Sequence, residues 1–450
     1  MEDYTDGQQA AIKDACDMRK RIVSITGEAG TGKTTIIKEV STRLRAAGVA
    51  VVAATPTGKA AKRVYEATGV HAMTIHRLLE YPYPGERDPK TGKALVSTSP
   101  KRDRMNPIGY DIVLCDEYAM VKWEVHNNLL AALPRGGCIR MFGDLAQLPP
   151  IEENKKLAEK PSPFSSMLDR FDGHKLDVIF RQAESSGILR NAHLILTGRV
   201  PRREEDFTID ITSKPIEALT SYVLDTGEEY GHFDTIECQV IAPGRRSWVG
   251  THAMNVLLQG IYNPNAMSQG IKLPRHEWET NMPVWIDIGD KVVWNQNTYD
   301  LRSYPDRFAD PDTWQQYILP DPTQMILNGE AGLVIDIVRE GETAGTFTID
   351  TGDRHVVIPN EILEMTKKKR LVAIDPRMRC GLAYALTTHK TQGSQYDRIV
   401  YMMNKSLSYM LSRSNFYTGI TRAQHRVHVI TDMRSIQTSV TRATNLVRSK

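Results

Sequence analysis

Ile22-Val23-Ser24-Ile25-Thr26-Gly27-Glu28-Ala29-Gly30-Thr31-Gly32-Lys33-Thr34-Thr35 is the stretch on which the reading of this chain turns. A short apolar run leads directly into the pattern G-x-x-x-x-G-K-[ST], where a helix opens. Strand, glycine-rich turn and helix N-terminus in that order make a phosphate cradle. Glycines let backbone N–H groups close around phosphate oxygens, and the helix end adds favourable potential. On this reading Gly27, Gly30, Thr31, Gly32, Lys33, Thr34 and Thr35 hold ATP, with Lys33 reaching the β and γ oxygens and Thr34 carrying Mg2+.

Outward from the cradle, the same rhythm recurs. The runs Val49 to Ala54, Ile112 to Cys115 and Ile139 to Phe142 each end in a polar loop, as expected of an α/β chain with a parallel sheet and crossover helices. Such sheets bind ligands at the carboxyl ends of their strands, so loops distant in sequence can converge. Asp116 and Glu117 follow one of these runs. Alone they would be a solvated acidic pair; beside a phosphate loop they supply a magnesium ligand, Asp116, and a general base for the attacking water, Glu117.

Composition narrows the field less. The 450 residues call for about two to four domains. With 41% hydrophobic and 25% charged residues, the chain is neither disordered nor fibrous. No run approaches the ~18 apolar residues of a membrane span, and Met1 to Lys20 has no apolar core, so a cytoplasmic protein is expected. Cys16, Cys115, Cys138, Cys238 and Cys380 are scattered, which argues against a zinc site and a disulfide framework. A net charge of +3 is too small to diagnose a nucleic-acid partner.

Tyr81 to Met105, with Pro82, Pro84 and Gly85 and a Lys/Arg-rich stretch, reads as a β-hairpin excursion from the first domain, and Tyr81, Tyr83 and Met105 are its available apolar caps. The polar segment Glu152 to Pro163 reads as lying near a hinge. Strand-then-loop patterning returns at Gln239 to Ala242, Ala383 to Thr388, Ile399 to Met402 and Val427 to Thr431. Between about Trp285 and Pro359 the text is β-rich and punctuated by Gly, Asn and Asp, as for a small inserted barrel in which Trp285 and Trp294 are core residues. Lys367 to Arg370 reads as a solvated turn.

A further stretch, Gly143-Asp144-Leu145-Ala146-Gln147-Leu148-Pro149-Pro150, resembles the G-D-x-x-Q-L-P-P signature of superfamily 1 helicases. The rest of that family's set follows in order. Thr5-Asp6-Gly7-Gln8 is similar to the adenine-reading Q motif, Pro56 to Ala61 to motif Ia and Thr74-Ile75-His76 to motif Ib. Phe180-Arg181-Gln182 resembles motif IV, Thr388 to Ser394 motif V and Tyr417 to Ala423 motif VI. The forms A-T-P-T-G-K-A-A and T-H-K-T-Q-G resemble the RecD-like branch, subfamily B, in a compact Dda-like layout. Ala119 departs from the D-E-x-S-M form of motif II.

The resemblance implies two RecA-like domains: 1A over 1–80 and 106–172 with hairpin 1B over 81–105 as the wedge that splits the duplex, and 2A over 173–283 and 361–450 with an SH3-like β-barrel 2B over 284–360. It implies Lys33, Glu117, Gln147, Arg181 and Arg422 as catalytic residues, the two arginines reaching over the nucleotide from the second domain, and Gln8 as a further ATP contact. Pro56, Thr57, Lys59, Thr74, His76, Thr388, His389 and Lys390 would line a single-stranded DNA track. The implied activity is 5′-to-3′ translocation and unwinding driven by ATP. Single-stranded and tailed duplex DNA are the implied partners, beside a single-stranded-DNA-binding protein or other replication, recombination and repair proteins, and the chain would act as a monomer. A phosphate loop alone also fits a nucleotide kinase or an ATP-switched DNA-binding regulator, and phosphate and stacking contacts do not by themselves separate DNA from RNA.

Overall fold

The computed structural model describes residues 4–81, 99–152, 154–171, 173–178, 186–225, 232–273, 284–296, 298–299, 302–304, 325–326, 328–339, 346–352, 354–359, 362–365 and 371–443. These fall into two compact units that divide after Pro201.

The first unit is built on strands β1 (Ile22–Gly27), β2 (Val51–Thr55), β3 (Ala72–Thr74), β4 (Ile112–Cys115), β5 (Cys138–Gly143) and β6 (His174–Leu176). They pair in the order β3-β2-β4-β5-β1-β6, every pair parallel. Successive strand residues face opposite sides, so a sheet covered on both faces needs unbroken apolar runs. Val52, Ala54, Val113, Cys115, Ile139 and Met141 pack on one face, with Leu129, Phe164 and Met167 from the helices Trp123–Ala132 and Pro163–Arg170. Ala53, Ile112, Leu114, Cys138 and Phe142 pack on the other, against α1 (Asp6–Cys16), α2 (Lys33–Ala46) and α3 (Gly58–Thr68) through Ile12, Ile36, Val40 and Val64. The fully buried Arg140 is held by the α1 end of the unit, donating to the carbonyls of Ala15 (2.6 Å), Asp17 (3.0 Å) and Lys20 (2.8 Å).

Strand β6 lies beyond the expected end of domain 1A at residue 172, yet it pairs with β1, so the first unit runs on to Pro201 through the helix Gly187–Leu196. The excursion 81–105 falls largely outside the described residues, at 82–98, and Tyr83 with it. Tyr81 is no free cap: its hydroxyl accepts from Asn128 Nδ2 at 2.8 Å, and its ring packs on His76 and the core below. Met105 is 92% exposed.

In the second unit, β7 (Phe207–Ile211), β8 (Cys238–Ala242), β21 (Ala385–Thr387), β22 (Tyr396–Met402) and β23 (Ala423–Thr431) form a second all-parallel sheet in the order β21-β8-β22-β23-β7. The chain between β8 and β21 carries the β-rich insertion. β13 (Arg302–Tyr304), β17 (His355–Ile358), β16 (Phe347–Asp350), β15 (Ala331–Ile337), β11 (Lys291–Trp294) and β20 (Cys380–Leu382) make an antiparallel sheet in that order. Its last strand lies past the boundary expected at residue 360. Backbone bonds to β11 draw Cys380–Leu382 into the inserted sheet. A pairing of β13 with β20 that would close this sheet into a barrel is not among the described strand pairs.

The insertion is not a separate body, because one core runs through both sheets. Val240, Val400 and Met402 of the parallel sheet belong to the same cluster as Val292, Trp294, Phe347 and Val356 of the inserted one. Polar bolts cross the junction. Lys291, fully buried, donates from Nζ to the Cys238 carbonyl at 2.7 Å, and Tyr384 donates its hydroxyl to Asp290 Oδ1 at 2.8 Å.

Candidate functional site

In the first unit the loops that leave β1, β2, β3, β4 and β5 all start at the carboxyl edge of one sheet, which is what a parallel order dictates. The sheet order places the phosphate loop after β1 beside Asp144 after β5, then Asp116 and Glu117 after β4, then Pro56 and Thr57 after β2.

The phosphate loop is already shaped. Gly30 and Gly32 take φ of 82° and 81°, a left-handed region costly for any residue with a Cβ. A Cβ on Gly27 would come to 2.3 Å from Thr31 Oγ1, which donates to the Glu28 carbonyl at 2.8 Å. Lys33 folds over the turn, donating from Nζ to the carbonyls of Gly27 (2.7 Å) and Glu28 (2.9 Å). Thr34 and Thr35 follow in the first turn of α2, half-buried. Gln8, buried, sits in a capping box with Thr5 and donates from Nε2 to the Thr31 carbonyl at 3.2 Å. The residue expected to read adenine therefore also braces the loop.

Asp116 and Glu117 are both buried at the end of β4. Glu117 takes φ 54° and ψ 34°, a strained geometry for a non-glycine residue, costing about 1–3 kcal/mol and typical of functional positions. Its backbone N–H donates to Asp116 Oδ1 at 2.8 Å. Burial first, and the neighbouring Glu117 charge second, push the Asp116 carboxyl above the usual carboxylate range. A bound cation would offset both. Gln147, from the loop after β5, is also buried. Its Nε2 faces Asp144 Oδ2 at 3.5 Å, and its Oε1 has no hydrogen-bond partner among the described residues. Such an acceptor is costly to leave unmade.

These features fit a nucleotide with Mg2+. The cradle excludes side chains where phosphates would lie, and Gln147 offers an unused acceptor. Among the described residues no group of three or more His, Cys, Asp or Glu side chains could hold a metal alone. A magnesium ion here would need phosphate oxygens beside Thr34 and Asp116, its usual mode.

On the β2 and β3 side, Thr57 caps α3 by accepting from Ala60 N–H at 3.3 Å, and Thr74 caps the short helix Ile75–Leu78 by accepting from Arg77 N–H at 3.2 Å. Both hydroxyls keep their proton for another acceptor. Pro56 and Lys59 are half-buried, and His76 is exposed against the Tyr81 ring at 4.9 Å.

In the second unit, the turn after β21 repeats this device one residue earlier than expected. Thr387 caps the helix Thr388–Thr391 by accepting from Lys390 N–H at 3.4 Å. Thr388 is fully buried, with its hydroxyl 3.4 Å from that of Tyr401. Its side chain is thus packing, and the surface contacts left to this motif are His389 and Lys390, both half-buried. Lys390 Nζ donates to Asn295 Oδ1 of the insertion. Burial, then the Arg245 charge, lowers the pKa of His389, and exposed Arg245, Arg246 and Trp248 follow β8 in the same unit. Sequence reading passed over that loop. Arg422 is buried, donating from Nε to the Thr418 carbonyl at 3.0 Å. Arg181 lies outside the described residues.

One residue of the first unit was missed altogether. Arg63, on α3, reaches Glu117 Oε1 at 3.1 Å and Asp116 Oδ2 at 3.9 Å. It stands four residues after Lys59, on the same helix face, but nothing in that spacing points to Glu117 as its partner.

The AAA domain family matches residues 3–210, and the UvrD-like helicase C-terminal domain family matches residues 382–430. The chain is 28% identical to the ATP-dependent RecD2 DNA helicase of Deinococcus radiodurans over 93% of its own length and 48% of that protein, so it spans about half of this relative. It is 31% identical to the ATP-dependent DNA helicase dda of phage T4 over 37% of each chain. In fold it is similar to the Pif1 helicase from Bacteroides solved with ADP-AlF3 and single-stranded DNA, with TM-score 0.52 and 17% identity, covering 96% of this chain and 93% of that one. With two parallel α/β sheets, the phosphate loop and acidic pair on the first, and a RecD2 relative matched over 93% of its length, the chain is similar to the RecD-like DNA helicases.

Proposed function

We propose that this chain is an ATP-dependent DNA helicase that moves 5′ to 3′ on single-stranded DNA and separates duplex ahead of it. The observation that carries the reading is one sheet edge bearing both a phosphate loop and, two strands further on, the acidic pair flanked by the motif Ia cap. Lys33 would leave the Gly27 and Glu28 carbonyls for phosphate oxygens. Mg2+, held by Thr34 and Asp116, supplies positive charge at the leaving phosphates. Glu117 would take the proton of the attacking water, and Gln147 Oε1 is an acceptor able to orient it. Arg422 and Arg181 are assigned to transition-state charge. Pro56, Thr57, Lys59, Thr74 and His76 of the first unit, and His389 and Lys390 with Arg245, Arg246 and Trp248 of the second, are the proposed strand contacts of each unit, which work by charge and stacking and read no bases. The excursion 81–105 is the proposed wedge. Single-stranded-DNA-binding and replication or recombination proteins are the partners proposed for a chain acting as a monomer. No helix among the described residues is long and apolar enough to cross a membrane, and the cytoplasm of a bacterium or phage-infected cell is the proposed compartment.

Strand displacement on tailed duplexes tests this. A 5′-tailed DNA duplex should open with ATP; a 3′-tailed or RNA duplex should open far more slowly. Opening of 3′-tailed duplexes alone would reverse the polarity, and an ATPase indifferent to DNA would favour the kinase reading.

Arg422→Ala should lower turnover by about 10³-fold or more while changing ATP affinity little, as expected of a group that acts in the transition state. Single-turnover hydrolysis beside nucleotide titration checks it. An unchanged turnover number removes Arg422 from the chemistry.

A further inference from the structure

The structure assigns Arg63 a positioning role: it couples the proposed DNA track to the catalytic base by holding Glu117 when no strand is bound and releasing it when one is. The inference rests on the helicase reading above.

The pair is short and sheltered. Arg63 Nη2 lies 3.1 Å from Glu117 Oε1, and the two side chains are 27% and 9% exposed. A carboxylate oxygen committed to a guanidinium is not available to the attacking water, because the pairing occupies the lone pair that would take its proton. The conformation described is therefore one in which Glu117 is detained. The strain at Glu117, with φ 54°, adds to this, since a side chain on a left-handed residue is aimed by its backbone.

The N-terminal end of α3 is where DNA is proposed to bind. Thr57 caps the helix, its carbonyl accepts from Thr55 Oγ1 at 2.7 Å, and Lys59 lies one helical turn before Arg63. The strand ends are tied as well, because Asp116 N–H donates to the Ala54 carbonyl at 3.1 Å. Helix α3 thus joins Thr57 and Lys59 to Arg63 as one rigid element, while Glu117 belongs to the neighbouring strand end. A phosphate drawn to Thr57 and Lys59 that shifts or turns α3 would lengthen the Arg63–Glu117 pair, and charge-assisted hydrogen bonds weaken quickly with distance. A ligand moves such an equilibrium only through its different affinity for the two states, so breaking the pair costs DNA affinity and the coupling is reciprocal.

The test compares wild type, Arg63→Ala and Arg63→Lys in the full chain, with oligo(dT) as probe. Wild type should show ATP turnover stimulated by oligo(dT). Arg63→Ala should raise the DNA-free rate by about 5- to 150-fold, the usual range of coupling between two sites, bringing the ratio of stimulated to basal rate close to one. Its KM for ATP should hold, and its nucleotide-free affinity for oligo(dT) should be tighter, because the cost of breaking the pair is gone. Arg63→Lys, with a point charge in place of the fork, should keep part of the stimulation. Hydrogen exchange of the peptide over 112–121, without nucleotide, supplies a readout apart from activity: oligo(dT) should raise it in wild type, and in Arg63→Ala it should be high without DNA.

An unchanged basal rate and ratio in Arg63→Ala overturns the proposal. So does weakened DNA binding, which would make Arg63 a strand contact, and so does a fall in both rates with a lowered Tm, which would make it structural. If Arg63→Ala does not fold, Arg63→Lys decides, since full wild-type stimulation in it overturns the role of the fork. A wild type that ignores oligo(dT) fails the helicase reading itself, and this proposal with it.

Discussion

Lys33→Ala and Glu117→Gln should each cut ATP turnover by about 10²-fold or more, at different stages. Lys33 donates into the loop that would hold the phosphates. Its loss removes a charge from both the bound nucleotide and the transition state. Affinity should fall along with turnover, by roughly 10²- to 10³-fold in rate for one preorganised donor. Glu117→Gln keeps the shape of a buried side chain and leaves Lys33, Thr34 and Asp116 in place. It also removes a like charge pressing on Asp116, which leaves that carboxylate more readily ionised as a magnesium ligand. Turnover should fall by about 10²- to 10⁴-fold, as for loss of a general base, while ATP binds as in wild type or tighter. Turnover by coupled assay and affinity by a fluorescent nucleotide separate the two variants. Normal turnover in either would sink the assignment of the site.

How much of this was legible beforehand depends on how local each feature is. The phosphate loop and the acidic pair were readable because strand, turn and helix start follow one another in the chain. The two-faced burial of β2, β4 and β5 was readable because it demands unbroken apolar runs. Strand β6 was not, since His174-Lys175-Leu176 has no strand signature and owes its state to pairing with β1, about 150 residues away. The cap at Thr387 and the burial of Thr388 hang on a one-residue choice between adjacent threonines, which pattern cannot make. Arg63 was hidden because a motif names the residues that touch ligand, whereas its partner comes from the next strand. Tyr81 was read as a wedge cap from position alone. Its hydrogen bond to Asn128 depends on a helix that starts some forty residues later.

Trp294→Ala should destabilise the second unit as a whole and leave nucleotide binding by the first intact. Trp294 is among the largest side chains with no exposure, in a core that continues from the inserted sheet into the parallel one. Truncating such a tryptophan costs about 3–5 kcal/mol in lost transfer energy and cavity, against a total stability of only about 5–15 kcal/mol for a folded domain. The penalty is one of packing. Thr298 Oγ1 loses the Nε1–H donated at 2.6 Å but keeps Arg379 Nη1 at 2.9 Å and its own bond to the Gln296 carbonyl, so no buried polar group is orphaned. At about 2–4 °C per kcal/mol for a unit of this size, the melting temperature of the second unit should fall by roughly 6–20 °C. Trp294→Phe, which keeps most of the volume, should lose much less. Because Val240, Val400 and Met402 share the core with Trp294, and Lys291 and Asp290 bolt the junction, the two sheets should melt in one step. Calorimetry with limited proteolysis distinguishes the alternatives. An inserted sheet that is digested while the parallel sheet survives would show two independent bodies, and an unshifted transition would mean that Trp294 does not hold them together.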